Sequence, residues 1–79
     1  MSVIRKRSIH LRGQRTSISL EDEFWSAFRE IAALHNEPVP SLITKIADHR
    51  SDGLNLSSAI RLFVLRHFKA SQSENRDAG

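Results

Sequence analysis

Arg15-Thr16-Ser17-Ile18-Ser19-Leu20, followed at once by Glu21-Asp22-Glu23-Phe24-Trp25, is where the chain changes its apolar period. Thr16, Ile18 and Leu20 alternate with Arg15, Ser17 and Ser19, the period-2 pattern of a strand with one buried face. Past Glu21 the apolar residues recur at helical spacing. No second alternating run follows before the chain turns helical, and an unpaired strand edge is costly. The expectation is one short strand over about residues 14–20, paired with the same strand of a second copy.

Upstream, Ile9 and Leu11 occupy odd positions whereas Ile18 and Leu20 occupy even ones, so the phase slips around Arg12-Gly13. Glycine at a slip marks a bulge or a turn. Residues 8–12 are therefore read as extended or loosely paired, and 1–13 as a basic N-terminal arm. The first fifteen residues hold five bases, Arg5, Lys6, Arg7, Arg12 and Arg15, and no acid; the remainder holds seven bases against nine acids. Positive charge gathered beside a strand points to a polyanionic partner, although a solvated tail would look the same.

Downstream, Ser19 with Asp22 has the spacing of a capping box, and three acids suit the positive end of a helix. A first helix is expected from about Glu21 to His35, with Phe24, Ala27, Phe28, Ile31 and Leu34 in one stripe and Trp25 at its edge. Asn36-Glu37-Pro38 ends it, because proline disfavours helical geometry in the residue before it. Val39-Pro40-Ser41 opens a second helix ending near His49, with Val39, Leu42, Ile43, Ile46 and Ala47 as its stripe. Arg50-Ser51-Asp52-Gly53 reads as a turn. Asn55 or Ser57 caps a third helix, about Ser57 to Lys69, apolar over most of its circumference, which implies burial by another subunit. Residues 70–79 lack periodicity and are expected to be disordered. No internal repeat is read.

A single domain of 79 residues buries roughly 60% of its unfolded surface and is marginal by itself. The chain has no cysteine, which removes disulfides and favours a reducing, intracellular setting. Self-association is the remaining staple. No apolar run reaches the ~20 residues of a membrane span, and the basic N-terminus lacks the apolar segment of a signal peptide. His10, His35, His49 and His67 form no i, i+4 pair, so no metal and no cofactor are expected, and nothing suggests catalysis.

The strand-to-helix junction Arg15–Trp25 resembles the ribbon-helix-helix family of DNA-binding proteins (the Arc/MetJ type), in particular the small bacterial domains whose signature reads similarly. Asn55-Leu56-Ser57-Ser58-Ala59-Ile60-Arg61 extends the resemblance to about residue 69. It implies a mainly α fold with one short strand, an intertwined homodimer with an additional C-terminal helix, spanning residues 14–69. Its core would hold Ile18, Leu20, Phe24, Phe28, Ile31, Leu42, Ile43, Ile46 and Phe63.

The resemblance further implies that two strands pair antiparallel and enter the major groove, which accepts a two-stranded ribbon and shows a distinct pattern for each base pair. Arg15, Ser17 and Ser19 would read bases, with Gln14 assisting. Arg15 suits guanine O6 and N7, whereas serine, both donor and acceptor, fixes no base. Ser19 is also the cap candidate, and the two roles compete. Arg5, Lys6, Arg7 and Arg12 would hold phosphates, as would the second helix start, Val39, Ser41, Thr44 and Lys45, through free amides and the dipole. Pro38 stands where the family usually places a capping Ser or Thr, and Pro40 removes one amide. The implied role is a sequence-specific transcriptional regulator, a repressor by type, in the bacterial cytoplasm at the nucleoid, with double-stranded DNA and a second copy of itself as partners. Two rivals remain: a helix-turn-helix using Ser57, Ser58 and Arg61 of the third helix, and an antitoxin-like module whose main partner is a protein.

Overall fold

The computed structural model describes residues 3–49 and 55–78, with side chains described through residue 72. Its elements in order are β1 (Ile4–Leu11), β2 (Gln14–Glu21), α1 (Asp22–Leu34), α2 (Val39–His49) and α3 (Leu56–Ala78). The turn expected at residues 50–53 lies outside the described residues.

The strand read from the sequence has its partner within the same chain. β1 and β2 pair antiparallel along their whole length, from Ile4 opposite Glu21 to Leu11 opposite Gln14. This corrects the expectation of one strand preceded by an arm: residues 4–11 are strand. Arg12 and Gly13 close the hairpin with φ of 53° and 78°. Two successive left-handed residues match the twist of the flanking strands, and glycine adopts that conformation freely. A Cβ on Gly13 would meet nothing within 4 Å, so backbone conformation alone selects glycine there. The phase slip also follows, because a two-residue turn sets odd residues of β1 opposite even residues of β2. Arg7, Ile9 and Leu11 thereby share a face with Ile18, Thr16 and Gln14.

β2 runs to Glu21, so Ser19 lies in the strand and the expected capping box does not form. Glu21 is the residue before α1 and makes no side-chain cap bond. Asp22 instead anchors the first turn: its amide donates to the Val3 carbonyl, and its carboxylate accepts from Arg5 Nε at 3.1 Å and from Arg7 at 3.0 Å. The far end of α1 closes on Asn36, at φ 53°. The Asn36 amide donates to the Ala33 carbonyl and the Glu37 amide to Ala32, the paired bonds of a Schellman stop. α2 occupies the expected span. Asn55 caps α3, its Oδ1 accepting from the Ser58 amide at 2.8 Å. α3 continues to Ala78, beyond the residue at which its polar composition suggested a tail. No proline or glycine interrupts residues 55–78, and extending a nucleated helix costs little.

One face of the hairpin rests on the three helices. Ile18 and Leu20 meet Phe28, Ile31 and Ala32 of α1, Leu42 and Ile43 of α2, and Leu56, Ile60 and Val64 of α3 in a single core. Phe28 is at the centre, its ring 6.0 Å from Phe63 and 6.2 Å from Trp25. Of the residues expected to build a dimer core, Ile18, Leu20, Phe28, Ile31, Leu42 and Ile43 are buried by their own chain, and Phe24, Ile46 and Phe63 pack at the margin. Leu34, the last residue of α1, is 73% exposed and does not join the core that the rest of its stripe meets. α3 buries one side only, leaving Leu65 and Phe68 exposed.

Candidate nucleic-acid interface

Opposed residues of an antiparallel pair share a face. The register therefore places Lys6 beside Ser19, Ser8 beside Ser17 and His10 beside Arg15, all six on the side of the hairpin away from the helices. All six are exposed, while the opposite phase is half-buried or buried along most of its length. The expected reading residues Arg15, Ser17 and Ser19 thus stand together on one outward surface. Gln14 does not join them, since it lies in the helix-facing phase opposite Leu11. Ser8 and His10 were not anticipated; their signal was the odd-numbered alternation with Ile9 and Leu11, obscured by treating residues 1–13 as an arm.

The bases of the N-terminal region divide sharply. Arg5 and Arg7 share the Asp22 carboxylate. Arg7 is also stacked 4.7 Å above the Trp25 ring, with its Nε buried and without a hydrogen-bond partner among the described residues. Arg12 pairs with Asp48 of α2 across the hairpin turn. These three arginines, expected on phosphates, staple the hairpin to the helices through two carboxylates, Asp22 and Asp48, which offset two of their three charges. Lys6 and Arg15 make no ion pair among the described residues.

The start of α2 is similarly occupied from within. Glu37 accepts from the Ser41 hydroxyl at 3.0 Å and lies 2.6 Å from Lys45 Nζ. Lys45 holds its carboxyl below the ordinary glutamate range against a smaller opposing effect of burial, and the Ser41 hydroxyl adds a lesser pull in the same direction as Lys45. The Thr44 hydroxyl donates to the Pro40 carbonyl, and Val39 is half-buried against the core. An acid already fills the place where the sequence suggested an incoming phosphate.

Of the helix-turn-helix residues, Ser57 and Arg61 are turned onto β2 and its end. Arg61 Nε donates to Glu21 at 2.8 Å, its guanidinium reaches the Ser19 carbonyl at 3.4 Å, and it lies 6.0 Å from the centre of the Phe24 ring. Arg61 is the main reason the Glu21 carboxyl is held below its ordinary range. Ser57 Oγ accepts from the Ser19 amide at 3.0 Å. These contacts cap the outer edge of β2. Among the described residues no group of three or more His, Cys, Asp or Glu is placed to hold a metal ion, and no helix is long and apolar enough to cross a membrane.

The sequence model of one family, the ribbon-helix-helix domain, matches residues 4–68. The chain belongs to that family. The match begins at the first residue of β1, so both strands of the hairpin and most of α3 are part of the family domain. Neither a curated protein nor a solved structure matches the chain. Ribbon-helix-helix domains generally act as non-enzymatic DNA-binding modules, in transcription regulators or antitoxins, and generally form homodimers.

Proposed function

We propose that this ribbon-helix-helix chain is a sequence-specific DNA-binding protein, a bacterial transcriptional repressor by type, that lays its hairpin in the major groove. The supporting observation is the outward face, where Lys6 and Arg15 have no acidic partner among the described residues and flank Ser8, Ser17, Ser19 and His10. Arg15 offers the fork of donors that suits guanine, and the serines donate or accept. Lys6 supplies a point charge for phosphate. Arg5, Arg7 and Arg12 act on the hairpin's placement, and Ser41, Thr44 and Lys45 on the start of α2.

Two chains associate in this reading, as is general in the family. With β1 paired to β2 throughout, a dimer brings two ribbons together instead of building one ribbon from two chains. Such a protein works in the cytoplasm at the nucleoid. The test is binding of the full chain to duplexes at stepped salt. Each phosphate neutralised lowers the slope of log K against log salt by about 0.9. Salt-sensitive binding that discriminates a preferred duplex from its scrambled version is expected; equal affinity for both would remove base reading.

A protein partner is the second reading, favoured by the exposed Leu65 and Phe68 on α3 and by Leu34. Recovery of a stoichiometric protein complex from a chain with no DNA affinity at low salt would select it.

A further inference from the structure

Lys6-Arg7-Ser8-Ile9-His10-Leu11 and Arg15-Thr16-Ser17-Ile18-Ser19-Leu20 share one pattern: a base, a variable residue, Ser-Ile, a variable residue, leucine. Six residues are too few to stand out as a repeat in the sequence, but the register gives the likeness a geometric meaning. Ser8 lies directly opposite Ser17. An axis through that pair, normal to the ribbon, carries Lys6 onto Arg15, Ser8 onto Ser17, Ile9 onto Ile18, His10 onto Ser19 and Leu11 onto Leu20. The pairings obey the same axis, since Lys6 faces Ser19 and Arg15 faces His10. The isoleucines and leucines point to the helices in both halves, and Lys6 and Arg15, the two cations without an ion pair among the described residues of the hairpin, stand at diagonal corners of the outward face.

We infer that the hairpin is a complete recognition ribbon carried by one chain, an unequal duplicate that reads a nearly symmetric run of DNA with a different contact at each end. This rests on the DNA-binding reading above. Three features make the ribbon self-contained. All eight residues of β1 are paired with all eight of β2. Asp22 and Asp48 hold β1 and the turn to the helices through Arg5, Arg7 and Arg12. The outer edge of β2 is taken at Ser19 by Ser57 and Arg61, so a strand from another copy could not add there without displacing α3.

The inequality lies in the chemistry of the corners. Arg15 presents a planar fork with His10 at its side, whereas Lys6 presents a single rotatable ammonium with Ser19 at its side. An arginine fork fixes one guanine bidentately, and an ammonium acts as a point charge. Four residues of strand separate the two corners, roughly 13 Å at 3.3 Å per residue. At 3.4 Å per base pair that spans on the order of four base pairs. One ribbon's footprint is therefore expected to have a sharply specified end at Arg15 and a looser end at Lys6, around a centre touched by Ser8 and Ser17.

Two experiments on the full chain test this. The chain has no cysteine, and directly opposed positions suit a cross-strand disulfide. Under an added thiol oxidant, Ser8→Cys with Ser17→Cys is expected to close a bond within one chain, read by mass spectrometry as a monomer that has lost two hydrogens and no longer reacts with a thiol-alkylating reagent. Failure of that bond to form would count against the hairpin, and so would Ser17→Cys alone giving a covalent dimer, since that sets two copies of β2 side by side. The second experiment selects bound duplexes from a random pool with the native chain, Lys6→Ala and Arg15→Ala. Arg15→Ala is expected to flatten one end of a ribbon's footprint by about tenfold and Lys6→Ala to weaken the other. A symmetric footprint whose two ends Arg15→Ala flattens alike would overturn the inference. If the intrachain disulfide forms but no duplex is bound at any salt, the DNA reading fails and recognition falls with it, whereas an interchain bond in a chain that binds DNA overturns only the single-chain ribbon.

Discussion

The outward face of the hairpin and the first turns of α2 look alike in composition. Each is exposed and sets serine or threonine beside a basic residue, and each was a candidate for meeting DNA. They differ in what the chain has already placed there. Around α2, Glu37 takes the Ser41 hydroxyl and the Lys45 ammonium. On the hairpin, Lys6 and Arg15 are left without an acid among the described residues, the acids nearest in sequence, Glu21 and Asp22, being engaged by Arg61 and by Arg5 with Arg7. A basic side chain is available to a polyanion only after the chain's own carboxylates have been assigned. By that criterion two of the five bases near the N-terminus, Lys6 and Arg15, have no ion pair among the described residues, while Arg5 and Arg7 divide one carboxylate between them.

The sharpest way to break the comparison is to remove one base from each region. Arg15→Ala should cost about 1–3 kcal/mol of discrimination, roughly five- to 150-fold between preferred and scrambled duplexes. Lys45→Ala should leave the same ratio unchanged. Competition binding with both duplexes reads the two variants side by side. A Lys45→Ala loss as large as that of Arg15→Ala would mean that Glu37 yields its partner to DNA and that the distinction is void.

The frame beneath the outward face is the next target. Gly13→Ala places a Cβ on a residue at φ 78° with no steric obstacle nearby, so the cost is conformational, about 1–2 kcal/mol. A lowered melting temperature in the DNA-free chain is expected. An unchanged one would mean that the hairpin turn does not hold in solution. A subtler comparison uses salt: Lys6→Ala should make the slope of log K against log salt shallower by about 0.9, while Arg5→Ala should change it less, its guanidinium being held on the Asp22 carboxylate that it shares with Arg7. Equal changes would place Arg5 on phosphate and restore the larger basic surface.

How much of this could be read from residues alone varies along the chain. The strand-to-helix junction was legible because the apolar period changes within a residue or two of Leu20. α2 was legible because its stripe is regular, and the cap at Asn55 because an asparagine stands just ahead of an apolar run. The hairpin was missed although its mark was visible. The odd-to-even shift between Ile9, Leu11 and Ile18, Leu20 marks a bulge or a turn when read from residues alone, and a two-residue turn requires it. Arg12 in a left-handed conformation hid the turn, since Asn-Gly or Asp-Gly is the usual signal. The outward set Arg15, Ser17 and Ser19 survived this error, since the face a residue takes depends on phase and not on where the partner strand comes from. The ion-paired arginines could not be recognised, because the register and helix placement decide which acid each one meets. The Glu37, Ser41, Lys45 cluster was within reach, its members being spaced one helical turn apart.

The smallest expected effect separates the two regions without DNA. Glu37 and Glu21 have carboxyls held below their ordinary range by Lys45 and Arg61. A depressed folded-state value means that protonation favours the unfolded chain. The stability these groups contribute is therefore fully present above the ordinary carboxylate range and is lost as pH falls through their folded-state values. Glu37→Gln removes one of the two groups, so its melting temperature should fall less steeply than that of the native chain between neutrality and about pH 3. The variant also releases Lys45 and Ser41 from the acid at the start of α2. If DNA approaches that helix, the released lysine should strengthen binding and steepen its salt dependence; if only the hairpin enters the groove, affinity should stay level while the acid limb of the melting curve changes. Thermal melts across that pH range, paired with binding at neutral pH, distinguish the outcomes. A native acid limb in Glu37→Gln would show that the Glu37–Lys45 pair is loose in solution, and the start of α2 would then be as open to an anion as the hairpin face.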